Sequence, residues 1–321
     1  MTKKRLTVIG HTGIDYNIQV NKEENKLSTP VTSFSKTIGG TGCNVATSAN
    51  LFNIPVTLDT IMDYKDWELL KNDLAYNPLN YIRVFHKPDK TPRCFIITEE
   101  DDTVKGYIHD PTLPLWDSLL DNTVFINKTL KNSENNIIHF TTTPPQFTVN
   151  SIKHINQEDT RVSWSPGQNT YLWTTENIKQ MLQYTSILFV NHKEYDLIHT
   201  KLNDDEPLKY MKKDSFIIVT DGGNGCDILL KDNKIHVDAY TPEQVIDSTG
   251  CGDAFTGAFL ANLLKDKSLK ESAMIGNSVA SFIIEKEGCQ TNLPTKEMIQ
   301  NRINNYGLGG NTESSKPTGL L

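Results

Sequence analysis

A glycine-rich turn that carries an aspartate and runs into a helix is the stretch of this sequence best suited to chemistry. Residues 245–264 read VIDSTGCGDAFTGAFLANLL, with a short apolar lead-in at 245–246. Phe255, Phe259 and Leu263 recur every four residues, which predicts a helix with one apolar face. The turn therefore lies directly before the N-terminus of a predicted helix.

Backbone and side chain in this turn suit the transfer of an anionic group. Gly250, Cys251 and Gly252 precede helix amides that lack intrahelical partners, at the positive end of the helix dipole, where anions bind. Asp253 stands at the mouth of that site, where a carboxylate can take a proton from an attacking hydroxyl. The structural alternative is that Asp253 only caps the helix.

Further candidates stand at the ends of predicted strands. Asp15 follows a first strand at Leu6 to Gly10, and a second glycine turn with Gly40 and Asn44 opens another helix. Each also suits an ordinary turn. From about residue 137 strands and helices alternate, as in a parallel sheet, and ligands bind at the carboxyl ends of such strands. Polar residues follow these strands in WSPGQ, NHKE and TDGGNG, and a helix with small residues spans 277–285.

Composition narrows the class of protein. The 321 residues carry 39 acidic and 32 basic side chains, a net charge of −7, which disfavours nucleic-acid and anionic-membrane partners. No apolar run approaches the roughly 20 residues of a membrane span, and the amino terminus lacks signal-peptide features, so we expect a cytoplasmic protein. Five scattered cysteines without C-x-x-C predict neither disulfides nor zinc. Cys251, at a helix N-terminus, is expected to have a lowered thiol pKa.

The order D-S-T-G-C-G-D-A-F closely resembles the D-T-x-G-x-G-D signature of the ribokinase (PfkB) family of small-molecule kinases. GHTGIDY, WSPGQ and ASFIIEKEGCQTNLPT are similar to segments of the archaeal-type nucleoside kinases of that superfamily, although Ser165 replaces the acid expected before the proline. The resemblance implies an α/β fold: a ribokinase-like three-layer α/β/α sandwich with a small β lid. The kinase domain would span 1–306, with lid segments near 16–36 and 91–109, and residues 307–321 would form a disordered tail.

The same resemblance implies roles for individual residues. Asp253 would be the base, beside an anion hole at Gly250, Cys251 and Gly252. Mg²⁺ would be organised through water by Glu194, and some relatives hold K⁺ in a loop that corresponds to Asp247 and Thr249. The acceptor would be bound by Asp15, Gly40, Asn44 and Gln168. ATP would be bound by Asn191, Thr220, Gly222, Gly225, Asn277 and Ser281.

The expected function is transfer of the γ-phosphate of ATP to the 5′-hydroxyl of a ribonucleoside of the inosine, guanosine, cytidine or adenosine class. A sugar or sugar-acid kinase of the same family remains an alternative, and a non-catalytic nucleoside-binding regulator is a more distant one. The partner would be a small-molecule nucleoside or sugar, and dimers that pair through the lid are common in the family.

Overall fold

A parallel sheet with an antiparallel edge organises the computed structural model, which describes residues 4–21, 28–70, 81–99, 104–132 and 134–308. In these residues the sheet has nine strands in the order β13-β12-β11-β10-β9-β8-β1-β4-β5, and β12 and β13 are its antiparallel members. Its strands are β1 (Arg5–Gly10), β4 (Val56–Met62), β5 (Tyr81–His86), β8 (Asn135–Thr141), β9 (Arg161–Ser165), β10 (Thr185–Asn191), β11 (Phe216–Thr220), β12 (Cys226–Leu229) and β13 (Lys234–Val237).

Helices cover both faces of this sheet. They are α1 (Thr41–Asn50), α2 (Tyr64–Leu70), α3 (Thr123–Phe125), α4 (Pro145–Ile152), α5 (Thr175–Tyr184), α6 (His192–Lys201), α7 (Cys251–Leu264), α8 (Leu269–Ile283) and α9 (Lys296–Leu308). Successive residues of β10 point to opposite sides: Phe189 packs in one hydrophobic cluster with α1, α7 and α8, and Leu188 in another with α4, α5 and α6. The expected three-layer α/β/α fold is confirmed.

The predicted β lid is a second, four-stranded sheet in the order β3-β2-β6-β7. Its strands are β2 (Gly13–Val20), β3 (Val31–Gly39), β6 (Arg93–Glu99) and β7 (Val104–His109). Strands β6 and β7 pair antiparallel within the predicted lid segment near 91–109, and residues 100–103 between them lie outside the described residues. Asp15 lies within β2 and pairs in register with Thr37 and Cys94, so the lid itself carries one candidate site residue.

One local expectation differs from the structure. Helix α7 is buried around nearly its whole surface between α1 and α8, with Leu263 only partly buried, so its phenylalanines do not mark a single apolar face. The apolar lead-in at 245–246 is exposed, and the amides of Ile246 and Asp247 donate to the carbonyl of Ile284.

The carboxyl-terminal region is described as far as residue 308. Helix α9 continues to Leu308, two residues past the predicted end of the domain, and the rest of the predicted tail lies outside the described residues. Within the part of the chain that is described, no helix is long and apolar enough to cross a membrane.

Candidate active site

A cavity of about 940 Å³ lies between the lid and the carboxyl ends of the parallel strands. It is the place where the glycine turns, the lid and the strand ends converge, as expected for an open α/β sheet. The structure brings most of the predicted site residues to its wall: Asp15, Gly40, Asn44, Gln168, Asn191, Glu194, Thr220, Thr249, Gly250, Gly252 and Asp253.

Close packing of α1 against α7 joins the two glycine turns. A methyl group on Gly257 would lie 2.2 Å from the carbonyl oxygen of Val45, so only glycine permits this helix approach. Ser48 Oγ donates to the carbonyl of Ala254 across the same contact, at 2.6 Å. The approach places Asn44 Nδ2 2.9 Å from Asp253 Oδ2.

Asp253 has the environment of a base that works near neutral pH. Burial raises its pKa to about 7, the hydrogen bond from Asn44 opposes the rise, and the charges of Glu194 and Asp15 add to it. A carboxylate tuned to this range can accept a proton from a hydroxyl and release it again. Gly250 is the N-cap residue of α7 and has the left-handed conformation, with φ 79°, which glycine adopts readily.

The amides of the first turn of α7 are the candidate anion site. Cys251 N–H donates to the carbonyl of Ser248 at 3.2 Å, and the first intrahelical donor is Ala254 N–H, which bonds to the carbonyl of Gly250. The amides of Gly252 and Asp253 lie between these two donors, at the positive end of the helix. A methyl group on Gly252 would meet nothing within 4 Å, because this backbone borders the open cavity. An anionic group could therefore lie against it.

The thiol of Cys251 does not face the cavity. Its side chain turns towards α8, where Sγ donates to the carbonyl of Ala280 at 3.6 Å, and the residue is not part of the cavity wall. Burial and the charges of Asp247 and Asp253 raise its thiol pKa to about 12. The expected lowered pKa is wrong, since desolvation and two nearby carboxylates outweigh the helix dipole.

Asp15 forms the second carboxylate of the cavity. Burial raises its pKa to about 6, a hydrogen bond from Cys289 lowers it, and the charge of Asp247 raises it. The carboxylate fits against Gly39, where a methyl group would lie 1.9 Å from Asp15 Oδ2. The double glycine of this turn therefore makes room for the carboxylate of Asp15.

Asn191 and Glu194 form a complete capping box at the start of α6. Asn191 Oδ1 accepts from Glu194 N–H at 2.9 Å, and Glu194 Oε2 accepts from Asn191 N–H at 3.1 Å. Burial raises the pKa of Glu194 against these hydrogen bonds. Its second carboxylate oxygen remains for a hard cation, and no cluster of three or more metal-binding side chains occurs among the described residues. This fits Mg²⁺ held mainly by phosphates, with one protein carboxylate.

Some predicted residues lie outside the cavity wall: Asp247, Gly222, Gly225, Asn277 and Ser281. Asn277 Nδ2 instead donates to the carbonyls of Val237 and Asp238, at 3.1 and 2.9 Å. Ser281 is buried and accepts from Arg302 at 2.9 Å. Contact of these residues with ATP or K⁺ stays a prediction.

Sequence reasoning missed a buried contact between a histidine and an aspartate that ties the lid to the sheet. His11 Nε2, after β1, lies 2.7 Å from Asp110 Oδ2, just after β7, and His11 Nδ1 lies 3.1 Å from Thr142 Oγ1. Burial raises the pKa of Asp110, but the interactions with His11 and Thr112 lower it to about 2. Thr142 has φ 51°, rare for a β-branched residue and often found at functional sites. No local signal in the sequence joins these positions.

Comparison with known proteins agrees with this geometry. The model of the pfkB family of carbohydrate kinases matches residues 3–296. A nucleoside kinase of Methanocaldococcus jannaschii is 30% identical over 315 residues, covering 95% of this chain and 98% of that protein. A cytidine kinase of Thermococcus kodakarensis is 24% identical, with coverage of 88% and 97%.

Solved structures show the same fold. The crystal structure of the M. jannaschii nucleoside kinase superposes with a TM-score of 0.79 at 27% identity, covering 94% of this chain and 98% of that one. A Burkholderia thailandensis nucleoside kinase in complex with inosine also gives 0.79, at 21% identity and the same coverage. ATP and Mg²⁺ follow from the family. The chain therefore belongs to the pfkB family of carbohydrate kinases, and it is an ATP-dependent kinase whose phosphoryl acceptor is a hydroxyl group.

Proposed function

We propose that the chain phosphorylates the 5′-hydroxyl of a ribonucleoside. The observation that carries the proposal is the convergence of three groups on one cavity under the lid: Asp253 with its donor Asn44, the backbone of Gly252, and the carboxylate of Asp15. A base, an anion site and groups that bind hydroxyls are the parts that phosphoryl transfer to an alcohol requires.

Each part has a step in the proposed reaction. Asp15, Asn44 and the backbone of Gly40 hold the ribose hydroxyls. Asp253 takes the proton of the 5′-hydroxyl while the hydroxyl oxygen forms a bond to the γ-phosphorus of ATP. At the same time the bond between the γ-phosphorus and ADP, the leaving group, breaks. The amides at Gly250 and Gly252 stabilise charge on the phosphoryl oxygens. Mg²⁺, held by the phosphates and through water by Glu194, would neutralise phosphate charge. Asp247 and Thr249 remain the proposed monovalent-cation loop.

The lid side of the cavity supports a nucleoside over a charged sugar. Cys94, Ile96 and Ile108 supply an apolar wall where a base could lie. Arg93 is a basic residue of the lid that lines this cavity. Its Nη2 lies 3.4 Å from Asp66 Oδ2, so its charge is paired in a salt bridge. An acidic or phosphorylated sugar would instead need a cation on this side of the cavity, whereas the lysine of the wall, Lys193, lies at the start of α6.

A substrate panel tests the proposal. ATP consumption is measured with Mg²⁺ and inosine, guanosine, cytidine, adenosine, ribose, fructose, fructose 6-phosphate or 2-keto-3-deoxygluconate. We expect turnover with one or more nucleosides. Turnover on a sugar alone would assign the alternative acceptor class, and tight nucleoside binding without ATP turnover would favour the regulator.

The outer face of the lid supports the proposed homodimer. The register places Tyr16, Phe95 and Tyr107 in one row across β2, β6 and β7, on the face opposite Asp15. Phe34 pairs with Ile18, two residues along β3 from the partner of Tyr16, and lies on the same face. Neighbouring rings lie 5.9 Å apart for Tyr16–Phe34 and 5.2 Å for Tyr16–Phe95, while Phe34 and Tyr107 are 60% and 56% exposed. Sedimentation analysis should show a dimer that Phe34→Asp weakens, and a monomeric wild type would refute this part.

A further inference from the structure

We propose that Gln290 is a positioning residue for phosphoryl transfer: by donating to Asn44, it holds the Asn44 amide with its NH₂ group towards Asp253. The inference rests on the proposed function, because it concerns the same base. It assigns a task to a segment that lies outside both glycine turns and follows α8 in the chain.

Three side chains form a continuous hydrogen-bonded row. Gln290 is 5% exposed, and its Nε2 lies 2.9 Å from Asn44 Oδ1 and 3.4 Å from Cys43 Sγ. Asn44 Nδ2 in turn lies 2.9 Å from Asp253 Oδ2. Cys289, the residue before Gln290, has Sγ 3.8 Å from Asp15 Oδ2. Of two consecutive residues, Cys289 therefore contacts Asp15 directly and Gln290 is linked to Asp253 through Asn44.

The chemistry of the donors fixes the direction of this row. An ionised carboxylate only accepts hydrogen bonds, so Asn44 must present its NH₂ group to Asp253 and its oxygen to Gln290. Gln290 must then donate. It commits its NH₂ group to Asn44 and Cys43, and its Oε1 is buried without a hydrogen bond to the described part of the chain. Donation to Asn44 is therefore what this position supplies.

The protonation of Asp253 depends on that direction. The hydrogen bond from Asn44 favours the ionised carboxylate and lowers a pKa that burial raises to about 7. An Asn44 side chain free to rotate could turn its oxygen to Asp253, which would favour the protonated acid and raise the pKa. Other titratable groups coupled to Asp253 come from β2, α6, the start of α7 and the segment after α8: Asp15, Glu194, Cys251 and Cys289.

The test is the pH profile of kcat for the full chain with ATP, Mg²⁺ and inosine, or with guanosine, cytidine or adenosine if one of these is turned over faster. In Gln290→Met, which keeps the size but removes the donor, the acid limb should move up by roughly one pH unit. At pH 9 kcat should approach that of the wild type, and the KM for ATP should not change.

Thr291→Val is the matched control in the same segment. Thr291 Oγ1 donates to the carbonyls of Glu287 and Gly288, at 2.5 and 3.0 Å, so the control perturbs the segment but not Asn44. Its pH profile should match that of the wild type. In an Asn44→Ala background, Gln290→Met should produce no further shift, because the path to Asp253 is already cut.

An unmoved acid limb in Gln290→Met, an equal shift in Thr291→Val, or an additive shift in the Asn44→Ala background would each overturn the inference. If Gln290→Met does not fold, Gln290→Leu replaces it, because leucine is uncharged, cannot donate and should shift the limb in the same direction. A wild type inactive on every nucleoside would instead refute the proposed function, so the two failures are distinguishable.

Discussion

Replacing Asp253 by Asn separates the chemistry of this carboxylate from its effect on folding stability. Asn keeps the size of the side chain and an oxygen that can accept from Asn44, but it cannot take a proton from the acceptor hydroxyl. General-base catalysis commonly contributes 10²- to 10⁴-fold, so we expect kcat to fall by about that factor while ATP still binds.

The same substitution should stabilise the fold at neutral and alkaline pH. Burial, opposed by Asn44, raises the Asp253 pKa from 3.8 to about 7, so the folded chain holds this proton more tightly than the unfolded chain. Wild-type stability therefore falls as pH rises from 3.8 to about 7 and is then level. At about 1.4 kcal/mol per pKa unit, the shift sets an upper limit of about 4 kcal/mol on the stability that the wild type loses over this pH range. Because Asp253 borders the cavity, we expect roughly 1–3 kcal/mol.

Urea unfolding of both proteins between pH 5 and 8.5 measures the difference in the free energy of unfolding. Asp110→Asn is the control of opposite sign, because the pKa of Asp110 is lowered to about 2. That carboxylate stabilises the fold above pH 3.8, so its loss should destabilise the chain throughout this range. A stability gain in Asp253→Asn that does not grow with pH, or turnover near that of the wild type, would refute the assigned role of the carboxylate.

Three further substitutions probe the walls of the site. Gly252→Ala should fold as well as the wild type, since alanine favours helices, but its methyl group would enter the cavity, so the KM for ATP should rise or kcat fall at least tenfold. Asp15→Asn should raise the KM for the acceptor by roughly 10-fold or more, and an unchanged KM would remove Asp15 from the acceptor site. Gly257→Ala should lower the free energy of unfolding by roughly 1–3 kcal/mol and lower kcat, because the added methyl group forces α1 away from α7. A variant as stable as the wild type would show that this contact can relax.

Local patterns were enough to predict much of the fold. The apolar runs of β8, β10 and β11 are short and bounded by polar residues, as buried parallel strands are. The glycine turns before α1 and α7 were predicted from residue types alone.

Features that depend on packing between distant segments could not be predicted. The pKa of Cys251 is raised by burial against α8, which no pattern near residue 251 reports. Asn277 was assigned to ATP by resemblance, but the fold directs its amide to the carbonyls of Val237 and Asp238 at the end of β13. The contact of Gln290 with Asn44 joins residues 246 positions apart, and His11 and Asp110 meet only when the lid is in place.

The identity of the phosphorylated atom tests the central claim most directly. Product formed from ATP and the fastest ribonucleoside is analysed by ³¹P NMR, beside a reaction with the matching 5′-deoxynucleoside. We predict a single 5′-monophosphate, and a 5′-deoxynucleoside that competes for the site but is not phosphorylated. Phosphate on another hydroxyl, or equal ATP consumption with the 5′-deoxynucleoside, would contradict the position assigned to Asp253 beside the 5′-hydroxyl.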